Sequence, residues 1–126
     1  MWRHLPLTFH ANANIAAQAA TEAYAQKGNE GFWKMHDLLW DNQGSLERAS
    51  LDGYAQRIGL DMGRFTRAMD TGAHKAAVDA DAKLATDAGV AGTPAFFING
   101  YFISGAQPMA KFRRVIDRAL ADQAKH

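Results

Sequence analysis

A mixed α/β fold dominated by helices is what this sequence predicts, and three observations carry the prediction. Apolar residues recur at three- and four-residue spacing through residues 12–88, with glycines between the runs. Two short aromatic-rich runs flank Asn99-Gly100, and a last apolar stripe at helical spacing follows Pro108. These give an opening strand, a helical bundle, a β-hairpin and a closing helix within one domain over residues 1–126.

The elements follow in order. Trp2 and Leu5 suit a short strand over 1–7, and Pro6, which lacks an N–H, ends its pairing. Ile15, Ala16, Ala19, Ala20, Ala23 and Tyr24 mark a first helix, with Asn12 as its cap and Gly28 as its stop. Phe32, His36, Leu39 and Trp40 share one face of a second, with Trp33 beside them. Leu51, Tyr54, Ala55 and Ile58 mark a third that stops at Gly59; Asp61 caps a fourth containing Met62, Phe65 and Met69, ending at Gly72. A fifth covers about 73–88, with Ala77, Val78, Ala82, Leu84 and Ala85 apolar and Gly89 as its end.

The tail changes period. Asn-Gly between apolar runs is a strong hairpin signal, because a type I′ turn needs positive φ at both central residues. The predicted register sets Ile98 opposite Tyr101, Phe97 opposite Phe102 and Phe96 opposite Ile103. One face then carries Phe96, Ile98, Tyr101 and Ile103, the other Ala95, Phe97 and Phe102. Both are apolar, so helices are expected on both. Phe112, Val115, Ile116, Ala119 and Leu120 form the expected core stripe of the final helix.

Composition sets outer bounds. An apolar fraction of 48% with 21% charged residues is that of a globular chain, and a net charge of +1 offers no strong field toward nucleic acid or an anionic membrane. No apolar run reaches the roughly 18 residues of a membrane span, and no apolar stretch follows Met1-Trp2-Arg3-His4 as a secretory leader would require. The chain has no cysteine, so it contains no disulfide, thiolate metal ligand or thiol nucleophile.

Other chemistry is sparse. His4, His10, His36, His74 and His126 lack metal-ligand spacing, and no metal or cofactor is expected. His36 reads as a buried, hydrogen-bonded core histidine; Trp2, Trp33 and Trp40 could line a peptide groove, but core packing is the favoured reading of Trp33 and Trp40. Asp79 and Asp81 do not face each other on a helix, and Asp79 is expected to pair with Lys83. Lys111, Arg114, Arg118 and Lys125 read as a solvated stripe on the final helix. No phosphate loop or Gly-x-Ser-x-Gly elbow is present.

Arg3-His4-Leu5-Pro6-Leu7, Phe32-Trp33-Lys34-Met35-His36-Asp37-Leu38-Leu39, and Gly92-Thr93-Pro94 followed by Ala95-Phe96-Phe97-Ile98-Asn99-Gly100 and Gly105-Ala106-Gln107 carry a likeness to a known family. In their order and spacing they resemble the DsbA-like branch of the thioredoxin fold, bacterial disulfide oxidoreductases. The resemblance covers essentially the whole chain. It implies an incomplete thioredoxin-like fold: strand 1–7, helical insertion 12–88, then proline loop, hairpin and final helix over 93–122. It also implies a cis peptide at Thr93-Pro94 and a substrate-holding role for Gly92, Thr93 and Pro94. Read from the residues alone, Pro94 is a trans proline opening a strand.

The family's preceding strand and its Cys-x-x-Cys helix have no counterpart here, so no catalytic residue is assigned and no redox activity is expected of these residues. A chain opening partway through the fold is expected to leave sheet edges exposed and to pair as a homodimer through them. The alternative is a non-catalytic thioredoxin-fold module for self-association or polypeptide binding. A glutathione-using isomerase of the same branch is less favoured, since its N-terminal serine would also be missing. Family members are often periplasmic, and the compartment of this chain is left open.

Overall fold

The computed structural model describes all residues from Met1 to His126. The chain divides into two compact units, Met1–Leu84 and Ala85–His126.

The first unit is helical. Helix α1 runs Ala13–Asp41 and is broken at Gly28, whose φ of 62° and ψ of −149° lie outside the helical region. Asn12 stands at its N-cap without a side-chain bond. Helices α2 (Arg48–Arg57) and α3 (Met62–Thr71) follow, and α4 (Lys75–Asp87) carries the boundary between the units. Asp61 caps α3 by accepting from the Arg64 amide at 2.9 Å, and left-handed Gly72 closes it.

Packing follows from small residues on one face of α1. Ala16, Ala19, Ala20 and Ala23 are buried with Phe32, Met35, Leu51, Ala55, Leu60 and Phe65 in one cluster. Short side chains let α2 and α3 approach closely, and a buried side chain the size of Phe65 contributes roughly 2–3 kcal/mol. Polar ties fix the connections. The Gln26 side chain accepts from the Asp61 amide at 2.7 Å and donates to the Asp61 carbonyl at 3.2 Å. Lys27 donates to the Ile58 carbonyl at 3.1 Å, and Arg48 bridges Asp52 and Asp70 at 2.8 and 2.7 Å. Glu22 is buried, yet its carboxylate has two partners: Gln26 at 2.7 Å and His74 at 2.5 Å.

Several expectations change here. Residues 1–7 form no strand, because the sheet of this chain contains only the two hairpin strands and the segment meets no pairing edge. Asp81 anchors it instead, accepting from the Arg3 guanidinium at 2.9 Å and the His4 amide at 3.0 Å. Asp79 takes Lys75 at 2.5 Å and Asn14 at 3.0 Å in place of the expected Lys83 partner. On α4 only Val78 is buried, whereas Leu84 and Ala77 are exposed.

The second unit holds β1 (Ala95–Ile98), β2 (Tyr101–Ser104) and α5 (Met109–Gln123). The hairpin register is the one the turn chemistry predicts, with Ile98 opposite Tyr101, Phe97 opposite Phe102 and Phe96 opposite Ile103. Asn99 and Gly100 have φ of 47° and 87°, as a type I′ turn requires. Helix α5 packs on β1, where Phe112 meets Phe96 edge-on at 4.9 Å, and Ile103 and Ala119 are buried.

The other hairpin face is open, contrary to the expectation of two covering layers: Phe97 and Phe102 remain 54% and 48% exposed. One helix in this unit covers one face. The expected stripe of α5 is also only partly buried, since Ile116 and Leu120 are exposed. A four-residue strand spans about 13 Å, whereas fifteen helical residues span about 22 Å, so the helix overhangs the hairpin.

The Gly28 break brings chain against chain. A methyl group on Gly31 would lie 2.4 Å from the Ala23 carbonyl oxygen and 2.7 Å from Lys27 Cβ, whereas one on Gly53 in α2 would meet nothing within 4 Å. Gly31→Ala is therefore expected to lower unfolding stability by about 2 kcal/mol, and Gly53→Ala to raise it by about 0.5–1 kcal/mol; paired urea denaturation curves check both signs.

Candidate functional site

The residues singled out in the sequence lie in the second unit. Gly92, Thr93 and Pro94 form an exposed loop entering β1, and the Thr93-Pro94 peptide is cis. The Pro94 carbonyl accepts from the Gly105 amide at 2.8 Å, which extends the hairpin pairing by one step. Pro94 thus pairs toward β2, as do Phe96 and Ile98 beyond it. Antiparallel alternation then turns the N–H and C=O groups of Ala95 and Phe97 outward, to an edge no other strand of the chain meets.

Side chains continue the same surface. The Phe97 and Phe102 rings lie 4.9 Å apart on the open face, which also bears Ala95. The loop, the outward backbone groups and this aromatic face therefore form one continuous strip. It presents hydrogen-bonding groups beside an apolar surface, which suits an extended polypeptide. Its hydroxyl is that of Thr93, and it contains no thiol.

Near the turn, Tyr101 donates to Asp122 of α5 at 2.5 Å, and the Arg118 guanidinium lies 5.0 Å over its ring. Arg118 thus leaves the expected solvated stripe to stack on an aromatic. The hydrogen bond to Asp122 holds the Tyr101 phenol above its ordinary value of 10, with partial burial acting in the same direction and Arg118 opposing both.

In the first unit Trp2 joins the aromatic residues that the sequence places on one helix face, forming a cluster. Trp2, Phe32, Trp33 and His36 pack edge to face with ring centroids 5.0–5.8 Å apart for Trp2–Phe32, Trp2–Trp33, Phe32–Trp33, Trp2–His36 and Trp33–His36. Trp40 stacks on His36 at 6.2 Å. Trp33 and Trp40 are 47% and 67% exposed, so neither is the expected core residue. His36 is partly buried and bonded to Asp37 at 3.0 Å at the helix surface, a correction to its reading as a core histidine. The i, i+4, i+8 spacing of Phe32, His36 and Trp40 marks one face correctly, but spacing alone does not say that the face is covered. No group of three His, Asp or Glu side chains gathers to hold a metal ion.

Comparison with known proteins agrees with the architecture. The pattern defining the DSBA-like thioredoxin domain matches residues 2–117. The chain belongs to this family. Among curated relatives it is 43% identical over 125 residues, 96% of its length, to a protein named Na(+)/H(+) antiporter NhaA 1 from Salinispora arenicola. It is 50% identical over 103 residues, 79% of its length, to Na(+)/H(+) antiporter NhaA 3 from Salinispora tropica. The Na(+)/H(+) antiporter NhaA of Herminiimonas arsenicoxydans shares 39% over 104 residues, 82% of the chain. The chain spans only 15–18% of the length of these relatives. No solved structure gives a significant match. Within the chain itself, no helix is long and apolar enough to cross a membrane.

The Tyr101–Asp122 contact is open to direct titration. Absorbance at alkaline pH is expected to show Tyr101 losing its proton above pH 10, and Asp122→Asn to move that step downward because the carboxylate acceptor is gone.

Proposed function

We propose that this chain is a thiol-free, polypeptide-holding module of the DSBA-like family. The observation that carries the reading is the strip formed by Gly92, Thr93, Pro94, the outward backbone of Ala95 and Phe97, and the Phe97–Phe102 face. An extended segment laid along β1 would exchange main-chain hydrogen bonds with Ala95 and Phe97 and set apolar side chains on the two phenyl rings. Gly92, Thr93 and Pro94 would guide its backbone, the role the family resemblance suggests.

The module supplies no electrons. Disulfide exchange begins with thiolate attack, and the 126 residues contain no cysteine. Any dithiol acting on a held polypeptide would come from another segment or another protein. In a setting like that of the relatives named Na(+)/H(+) antiporters, such a module would serve beside the membrane path, since it contributes no spanning helix.

A second reading rests on the same unpaired edge: β1 of another copy takes the place of the peptide, giving a dimer. Sedimentation across micromolar concentrations separates the two readings, since a monomer that still binds peptide excludes the dimer.

Two measurements test the proposal. With dithiothreitol and insulin, the purified chain is expected to leave the rate of insulin precipitation at background, and acceleration would overturn the thiol-free assignment. In calorimetry an extended, aromatic-rich decapeptide is expected to bind, and Phe97→Asp to weaken it about tenfold, or about 1.4 kcal/mol. A folded chain that binds no such peptide would overturn the holding role.

A further inference from the structure

The ring of His4 has its hydrogen-bonding roles fixed by its neighbours. Thr21 Oγ1 donates its only proton to the Ala17 carbonyl at 2.8 Å, so toward His4 Nε2, 3.2 Å away, it acts as acceptor. His4 Nε2 therefore carries the hydrogen. The Trp2 indole N–H, a donor only, points at His4 Nδ1 at 3.4 Å, so Nδ1 is the bare acceptor. The imidazole is neutral in this arrangement, with one tautomer selected from both sides.

A second proton has nowhere to go without breaking a contact. On Nδ1 it would face the Trp2 N–H, donor against donor. Two charged groups lie near the ring: Asp81 from α4 and Arg3 from its own segment. Asp81 Oδ1 is taken by Arg3 at 2.9 Å and Oδ2 by the His4 amide at 3.0 Å. Helix α1 presents to the ring the neutral Thr21 and the Phe32 ring, the latter at 6.2 Å. His36, the other titratable ring nearby, packs on Trp2 at 5.2 Å.

We propose that His4 is an acid-operated latch on Trp2: proton uptake at Nδ1 expels the indole from the aromatic cluster, while Asp81 keeps Arg3 and the His4 backbone in place. What moves is the Met1–Trp2 segment, and the Phe32, Trp33 and His36 rings are what it packs on. The device bares Phe32, which is buried, and widens the exposure of the half-exposed Trp33, without unfolding the helices.

Electrostatics supports the direction. Burial pushes the His4 imidazole below its ordinary 6.5, and Asp81 only partly offsets this. The unfolded chain then binds more protons than the folded one in that window, so stability rises with pH there. The His4 contribution is present above the unfolded value and is lost as pH falls toward and through the folded one.

The test uses the full chain with Trp33→Phe and Trp40→Phe, which leaves Trp2 as the single emitter. From pH 8 to 4.5 its emission is expected to shift to the red and its iodide quenching to rise, with a midpoint below 6.5, while the helical circular dichroism holds. His4→Gln is expected to abolish the transition and His36→Gln to retain it. A transition that survives His4→Gln, disappears in His36→Gln, or never occurs in the folded chain would overturn the latch. Nitrogen-15 spectra of the unsubstituted chain at pH 8 give an independent check: the Nε2–H tautomer of His4 is expected, and the Nδ1–H tautomer would overturn the proposal even if a variant failed to fold.

Discussion

The left-handed break at Gly28 is the constraint on which the first unit depends. On a straight helix Phe32 would stand about half a turn around the axis from Ala23, so the alanines before the break and the core residues after it would face opposite sides. The turn at Gly28 brings them together. Ala16 to Ala23 present a smooth face to α2 and α3, and Phe32 and Met35 enter the same core from a new direction. Gly31 is small because the break folds the next turn against the Ala23 carbonyl. Lys27, just before the break, reaches the Ile58 carbonyl and holds the end of α2. A side chain with a Cβ is strained at the φ of 62° found here, so glycine is what the geometry demands.

Local chemistry was legible in the sequence wherever it acted alone. Asn99-Gly100 dictated the hairpin and its register, since few residues tolerate the φ values the turn requires. Gly72 and Asp61 marked the ends of α3 for equally local reasons. Residues 1–7 were misread because strand-forming residues make a strand only where an edge receives them, and here a carboxylate took the amide of His4. Trp33, Trp40, Ile116 and Leu120 show the same limit from another side. Periodicity identifies residues that share a face, but the presence of a covering layer is a tertiary fact.

The site was legible in part. Gly92-Thr93-Pro94 stood out through its place before the hairpin, and it lies on the exposed approach to β1. The open Phe97–Phe102 face did not stand out, because apolar residues on both sides of a strand read as doubly buried. The His4–Thr21–Trp2 arrangement joins residues seventeen positions apart by side-chain bonds, and nothing in the spacing announces it. Membership of the DSBA-like family and the lack of any cysteine together separate scaffold from chemistry: the family's fold is present in these residues and a thiol is not.

Glu22 has a mechanical consequence beyond its own burial. Its two oxygens reach His74 at the entrance to α4 and Gln26, which in turn grips both backbone groups of Asp61 at the entrance to α3. One carboxylate thereby ties the starting points of two helices to the middle of α1. Neither entrance can fray independently, so local opening there is expected to be an all-or-none event shared by both.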